Sequence, residues 1–403
     1  MGKTKRDTVT AAHDAFHRHY AQIWGHDRWH SSLYPALLRP SRQVALLNPA
    51  VPLSRVWEAL GGEGLRRPVD DGDDNDDDDD NGLHEVAFPV FSTDASPPPR
   101  CLTRPLRPTA ANPHADPPPL PAPQLCNTPH GPLHTHWNLD AASVLITRVL
   151  APRAADRILD LCAAPGGKAI ALAHALVLAA TADPTIPITT TPPFLLHAND
   201  ADPTRAHRLA ANLRAYVPAC WAAPTATAPR GLRTSNVDAT RRDAHRELAS
   251  GRDGAPGYDK VLVDAPCSTE RHVVQAHARA ASATTGLARW RAGTARRLQE
   301  EQTRLLVTGL RCARVGGRVV YATCSVESGE NDGVVERVVR QCEREGRGWA
   351  VEVGGCEGEE ERVLREWAQR TPTGWIVLPD HSAGGRWGPL FFAVLTKVAR
   401  PTG

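Results

Sequence analysis

ILDLCAAPGGK, running from Ile158 to Lys168, is the stretch whose reading decides the fold. Its apolar opening has the character of a buried strand, and Gly166-Gly167 then turns the chain into AIALAHALVLAA, an alanine-rich helix. Strand, glycine turn and helix in that order make a cradle for a nucleotide-like ligand at the helix N-terminus. The first strand covers residues 157–161, and the same alternation repeats downstream. Residues 195–199 read as a second strand, ending at Asp200, with a helix over 203–216 behind it. Val237 and Asp238 close a weaker third strand, and residues 260–264 form the fourth. A long helix over 289–314 carries Leu298, Gln302, Leu305, Leu306 and Leu310. The fifth strand, 315–322, has Gly316-Gly317 at its entrance. A helix over 331–344 and an apolar pair, 375–378 and 390–395, complete the pattern. Such alternation predicts an α/β fold with a doubly wound, mostly parallel sheet. Ligands of such sheets sit outside the carboxyl ends of the strands.

Those ends carry reactive side chains. DAPCS (Asp264 to Ser268) follows the run KVLV, and ATCSV (Ala322 to Val326) completes the run RVVYA, so Cys267 and Cys324 both leave a strand at its carboxyl end. A thiolate is a strong nucleophile, and neighbouring donors lower its pKa. Pro266 stiffens the first of these loops. Buried cysteines elsewhere are small inert hydrophobes, which is the reading for Cys162, Cys312 and Cys342. The Asp264 carboxylate is placed to hydrogen-bond a pyrimidine ring nitrogen and its exocyclic amine. Asp200 suits a ribose diol and Asp238 a nucleobase amino group, although either residue alone could equally cap a helix. Neither GxGxxG nor GxxxxGK[ST] occurs, which disfavours dinucleotides and triphosphates. S-adenosylmethionine (SAM), an adenosine joined to an amino acid with no phosphates to cradle, fits better.

The bulk numbers allow two domains, or one large domain with extensions, in 403 residues. The formal charge of +2 hides an asymmetry: the run from Asp70 to Asp80 holds nine aspartates, and subtracting those nine charges leaves the rest near +11. A basic body suits a polyanion, although arginine favoured by codon usage would look the same. Nine cysteines, without CxxC pairs or Cys/His clusters, argue against structural zinc and for free thiols in a reducing compartment. No apolar stretch is long enough to span a bilayer, and MGKTKR shows no clear presequence. Residues 8–51 read as helical, with Phe16, Tyr20, Ile23, Trp24, Leu33, Leu37 and Leu38 on their apolar positions. The organisation read from these shifts is a helical N-terminal extension (1–60), an acidic and proline-rich insertion (61–132) and a catalytic domain (133–400). The insertion is expected to be largely disordered, with a short strand over 85–91. Residues 140–150 fit an amphipathic helix led by Asp140.

From Trp137 to about Val398 the chain resembles the RsmB/Nop/Sun family of SAM-dependent RNA cytosine carbon-5 methyltransferases. The motifs that carry the resemblance are DLCAAPGGK, NDADPTR, VDATR, DAPCS, ATCSV and the ending GPLFFAVL. PCSTERH (Pro266 to His272), ANDADPTRAHRLAANLRAYVP and FHRHYAQIWGHDRW are similar to the Sun-domain subgroup that includes the mitochondrial members, with Glu270 where that subgroup usually has Asp. The resemblance implies a Rossmann-like SAM methyltransferase fold and assigns roles by position. Cys324 would add to carbon 6 of the cytosine, Asp264 would hold ring nitrogen 3, and Cys267 would assist release of the adduct. Lys168 would lie near the base and the SAM carboxylate. Cys162, Ala163, Ala164, Pro165, Gly166, Gly167 and Lys168 would hold the methionine end, Asp200 the ribose and Asp238 the adenine. Arg205 and Asp264 count among the cofactor contacts. The implied substrate is ribosomal RNA, with transfer RNA as the alternative, a protein partner for targeting in some members, and a mitochondrial location (otherwise nuclear or cytoplasmic). Three other readings compete. A DNA cytosine methyltransferase would leave Cys324 unexplained, a catalytically idle RNA-binding or assembly factor would keep only the fold, and an oxidoreductase lacks its glycine pattern.

Overall fold

The computed structural model describes residues 3–61, 83–89, 98–104, 118–182, 194–221, 230–249, 257–279, 287, 290, 292–346 and 348–400. The N-terminal part contains α1 (Lys3–Trp24), α2 (His26–Arg28), a π-helical turn over Trp29–Leu33, α3 (Tyr34–Leu38), β1 (Val44–Leu47) and α4 (Leu53–Ala59). Then come β2 (His84–Glu85), β3 (Cys101–Thr103), β4 (Leu125–Thr128), β5 (Gly131–His134) and β6 (His136–Leu139). Two differences from expectation stand out here. Residues 44–47, read as helical, are a strand: all four side chains of VALL are buried, so no polar residue marks the alternation. Part of the tract read as insertion is also structured. β3 sits between β1 and β2 in the sheet β2-β3-β1-β6, and β4 pairs with β5. Leu102, Cys126 and Leu133 join Ala45, Leu47 and Val56 in one small core. Burial against partners distant in sequence overrides a local proline-rich composition. The strand expected over 85–91 is only His84–Glu85, and the run Asp70 to Asp80 lies outside the described residues.

The remainder alternates as the sequence predicts: α5 (Ala141–Leu150), β7 (Arg157–Asp160), α6 (Gly167–Ala182), β8 (Leu195–Asn199), α7 (Pro203–Tyr216), β9 (Gly231–Ser235), α8 (Ala244–Ala249) and β10 (Tyr258–Asp264). There follow α9 (Glu270–Arg279), α10 (Ala292–Cys312), β11 (Ala313–Thr323), α11 (Asp332–Arg344), β12 (Trp349–Val353), α12 (Glu359–Leu364), β13 (Gln369–Arg370), β14 (Trp375–Val377) and β15 (Leu390–Ala399). The sheet order is β9-β8-β7-β10-β11-β15-β14-β13, with β12 also pairing β15. The pairings from β9 through β11 are parallel, and β15 runs antiparallel to β11. Chain order reverses direction between β7 and β10, which makes their carboxyl ends the natural crevice.

Alternation along the central strands feeds two cores. Ile158, Leu262 and Val320 face α5 and α6, while Leu159, Val261, Val263, Val319 and Tyr321 face the other side with α10, α11 and, from α1, Phe16 and Tyr20. α5 is not amphipathic: every residue but Ser143 is buried, because the helix lies between the sheet and α6. Asp140 does cap it, accepting the Ala142 N–H at 2.8 Å. The third parallel strand ends earlier than Val237. The Asn199 side chain donates to the Val237 carbonyl (2.9 Å) and accepts its N–H (2.9 Å), so Val237 bonds a side chain rather than a strand. α9 has no counterpart in the sequence reading.

Candidate active site

β10 and β11 run parallel in a register that sets Asp264 beside Ala322. The loops leaving them therefore emerge side by side, and the Sγ atoms of Cys267 and Cys324 stand 3.0 Å apart. The Cys267 thiol is pushed well up, first by its hydrogen bond with Cys324, then by burial and by Glu270 and Glu330. Cys267 therefore keeps its proton at neutral pH. Asp264, the last residue of β10, accepts from Lys168 Nζ at 2.8 Å. Burial works against the Lys168 charge, but Asp264 outweighs it and the pKa is raised. Cys267, Cys324, Asp264 and Lys168 come from two strand ends and the first turn of α6, and the crevice gathers all four.

The glycine turn is tied into the same crevice. Gly166 has φ +123°, a conformation that favours glycine, and a Cβ there would approach Leu209 to 3.3 Å. At Gly167 a Cβ would meet the Trp137 indole nitrogen at 3.1 Å. The peptide between Ala164 and Pro165 is cis. Ala163 donates to the Asn199 carbonyl (2.7 Å), and Ala164 donates to Asp200 Oδ2 (3.3 Å). Arg205 donates to the Ala164 carbonyl at 2.7 Å and pairs with Asp200 at 3.2 Å. Pro165 is held by Asn212, which donates to its carbonyl at 2.7 Å. Cys162 is half-buried, and burial raises its thiol well above the ordinary value. Residues 162–167, Asp200 and Arg205 therefore form one bonded cradle. Asp238 stands on the exposed loop after β9, where Thr240 donates to it through its hydroxyl (2.6 Å) and its N–H (2.9 Å), and the carboxyl is held below the usual range by those bonds.

Two acidic residues were given no role from the sequence. Asp160, the last residue of β7, is fully buried, and among the described residues no side chain bonds its carboxylate oxygens, although the Cys162 N–H and the Lys168 ammonium lie near enough to favour its charge. Burial, then the nearby Asp264, push it up to about 8. An acid closing a strand in the middle of a buried sheet was visible in ILDL as a polar residue in an apolar run. Glu270 is also buried, beneath both cysteine loops, and the motif PCSTERH marks it only as an acid where the subgroup usually has Asp.

A model of the family described as 16S rRNA methyltransferase RsmB/F matches residues 147–347. The chain belongs to this family. The 5-cytosine rRNA methyltransferase NSUN4 of Xenopus tropicalis is 33% identical over 272 residues, covering 65% of this chain and 56% of that protein. The mitochondrial tRNA (cytosine(34)-C(5))-methyltransferase of Danio rerio is 32% identical over 274 residues, covering 66% and 62%. The chain thus spans little more than half the length of these curated relatives. A solved structure of NSun6 from Pyrococcus horikoshii with SFG aligns over 95% of this chain and 98% of that one, with TM-score 0.57 and 14% identity. A methyltransferase homologue from the same organism aligns over 99% of this chain and 100% of that one, at TM-score 0.55 and 18% identity. Both carry the doubly wound fold expected from the sequence, and the family found is the one its motifs resemble.

Proposed function

We propose that this RsmB/F-family chain is a SAM-dependent RNA methyltransferase that forms 5-methylcytosine, in ribosomal RNA. The observation that carries the reading is the pair of thiols 3.0 Å apart beside the Asp264–Lys168 ion pair. The cradle suits SAM on grounds of its own: the buried Asp160 carboxylate, which no side chain among the described residues bonds, is a receptor for an amino group, and the Gly166-Gly167 turn leaves no room for side chains. Residues 162–168 would hold the methionine end, Asp200 and Arg205 the ribose side and Asp238 the adenine. SAM, when bound, supplies an electrophilic methyl group.

Carbon 5 of cytosine is too weak a nucleophile to take that methyl unaided, so this chain's residues first change the ring. Cys324 adds as a thiolate to carbon 6, forming a sulfur–carbon bond and moving an electron pair onto the ring. A proton shared between Asp264 and ring nitrogen 3 neutralises that charge as it develops, with Lys168 2.8 Å from the same carboxylate. Once carbon 5 is methylated, solvent water takes its proton, the freed electron pair restores the ring double bond, and the bond to Cys324 breaks. Cys267, which keeps its proton and lies within contact of the departing sulfur, donates to it. The target base must leave any stack to reach these groups.

The catalytic unit is proposed as residues 133–400, with the N-terminal part packed on it. Relatives named for rRNA and for mitochondrial tRNA both match, so transfer RNA is the second substrate reading. A mitochondrial location and a partner protein for targeting belong to the same proposal. Among the described residues no helix is long and apolar enough to cross a membrane. Bisulfite sequencing of total and organellar RNA, with and without the gene, tests the function. Loss of methylation at one ribosomal cytosine is expected, loss at a transfer RNA position moves the substrate, and no loss anywhere overturns the reading.

A further inference from the structure

We propose that Glu270 is a positioning residue that sets the spacing of the two thiols, and that Tyr20 of the N-terminal helix α1 supports it. Each cysteine is followed by a serine, Ser268 after Cys267 and Ser325 after Cys324. One carboxylate binds both. Glu270 Oε1 accepts from Ser268 Oγ, from Ser325 Oγ at 3.2 Å and from Tyr20 OH at 2.9 Å. Oε2 accepts the Val326 N–H at 3.1 Å, two residues after Cys324. The serine hydroxyls also touch each other at 3.0 Å. β10 and β11 fix where the loops begin; beyond the strand ends this carboxylate bonds both serine hydroxyls, and Glu330, on the loop after β11, adds a second link to the Ser268 N–H at 3.0 Å. A buried acceptor gathering three hydroxyls and an amide N–H fixes them more rigidly than water could.

α1 grips the same loop at two further points. Trp24 donates to the Val326 carbonyl at 3.0 Å, and His19 meets Glu327 at 2.5 Å. α9, which Glu270 starts, is tied back to the N-terminal segment, with Gln275 donating to the Leu37 carbonyl at 3.2 Å. The segment ahead of the catalytic unit therefore acts on the thiols through a definite route: α1, Tyr20, Glu270, the two serines. The other titratable groups around this carboxylate are Glu327 and His19 on one side and Glu330 on the other. Glu330 accepts from the Ser268 N–H (3.0 Å) and from Gln302 (2.8 Å), and burial pushes it up to about 7.

Removing the charge leaves a donor where the network needs an acceptor. In Glu270→Gln the amide oxygen can serve either the three hydroxyls or Val326, and its NH2 group then faces the other set. The loops lose the tie through residue 270, the Glu330–Ser268 bond remains, and strands and helices stay.

This rests on the methyltransferase reading for its kinetic part, so the test has an arm that needs no turnover. Treating the full chain with a diazenedicarboxamide oxidant converts two neighbouring thiols to a disulfide while the diazene takes up both hydrogens. Peptide mapping then follows the Cys267–Cys324 disulfide, with alkylation of the exposed Cys220 as internal reference. The expected result is a rate at least about threefold slower in Glu270→Gln and in Tyr20→Phe, with Cys220 unchanged and Glu270→Asp partly restored. In RNA methylation, kcat of Glu270→Gln falls about ten- to a hundredfold while KM for RNA holds, the signature of misplaced reacting groups. Cross-linking at the wild-type rate in both variants overturns the proposal, whatever happens to their melting temperatures. Slower cross-linking in a protein whose wild type methylates no RNA keeps the positioning role and sinks the function.

Discussion

Replacing Asp160 by asparagine should make the unliganded protein more stable. The side chain keeps its shape, but the carboxyl disfavoured by burial and by Asp264, and only partly supported by Lys168 and the Cys162 N–H, disappears. In the folded chain that carboxyl is held up to about 8, against an ordinary value of 3.8. At pH 7 it must therefore be kept protonated roughly three units above its unfolded pKa, at a cost of about 4 kcal/mol. For a chain of this size that corresponds to a rise in Tm of about 5 °C as an upper limit. The sign follows from proton binding: the folded state holds this proton more tightly than the unfolded state. The Asp160 contribution is most favourable below pH ~4, declines as pH rises and is lost by pH ~8. Other buried groups titrate in the same range, so the quantity to measure is the wild-type minus variant difference in urea unfolding at pH 5 and pH 8. The variant should gain more at pH 8, and SAM should raise the wild-type Tm but not the variant's. A variant that melts lower than wild type at pH 8 without ligand would refute the reasoning.

Three further outcomes are expected. Lys168→Met removes the partner of Asp264, so methyl transfer should fall by about a hundredfold or more in a radiolabel assay, while far-ultraviolet dichroism stays unchanged. Gly166→Ala forces a Cβ into a left-handed position and towards Leu209, which should lower stability by about 1–3 kcal/mol in urea titration and weaken SAM binding by calorimetry. Tyr321→Phe deprives the Glu330 carbonyl of a buried donor at 2.6 Å, for a loss of about 1–3 kcal/mol without a change in thiol cross-linking.

Much of this site could be read from the chain because its parts are strand ends. KVLVDAPCS and RVVYATCSV each announce a buried strand by an apolar run and a functional loop by the residues that break it. A parallel sheet then leaves little choice about where the loops meet. Asp160 was given no role because its meaning lies in what is absent around it, a side-chain donor among the described residues, and absence is a property of the packed crevice. The role of Glu270, noted only as an acid where the subgroup usually has Asp, was missed for a different reason: its partners Tyr20, Ser268, Ser325 and Val326 come from three separate segments. The same holds for VALL at 44–47 and for Cys101–Thr103, whose strand character is imposed by partners far along the chain. Val237 shows the reverse case, where a local strand-like pair is taken up by the Asn199 side chain instead.

The measurement closest to the central claim is adduct trapping. Purified wild type, Cys267→Ala and Cys324→Ala are incubated with SAM and labelled RNA, then separated on denaturing gels. Cys267→Ala should accumulate an RNA-linked band that disappears on nuclease treatment, and Cys324→Ala should give neither that band nor methylated RNA. A trapped band in Cys324→Ala, or methyl transfer that survives its loss, would contradict the account.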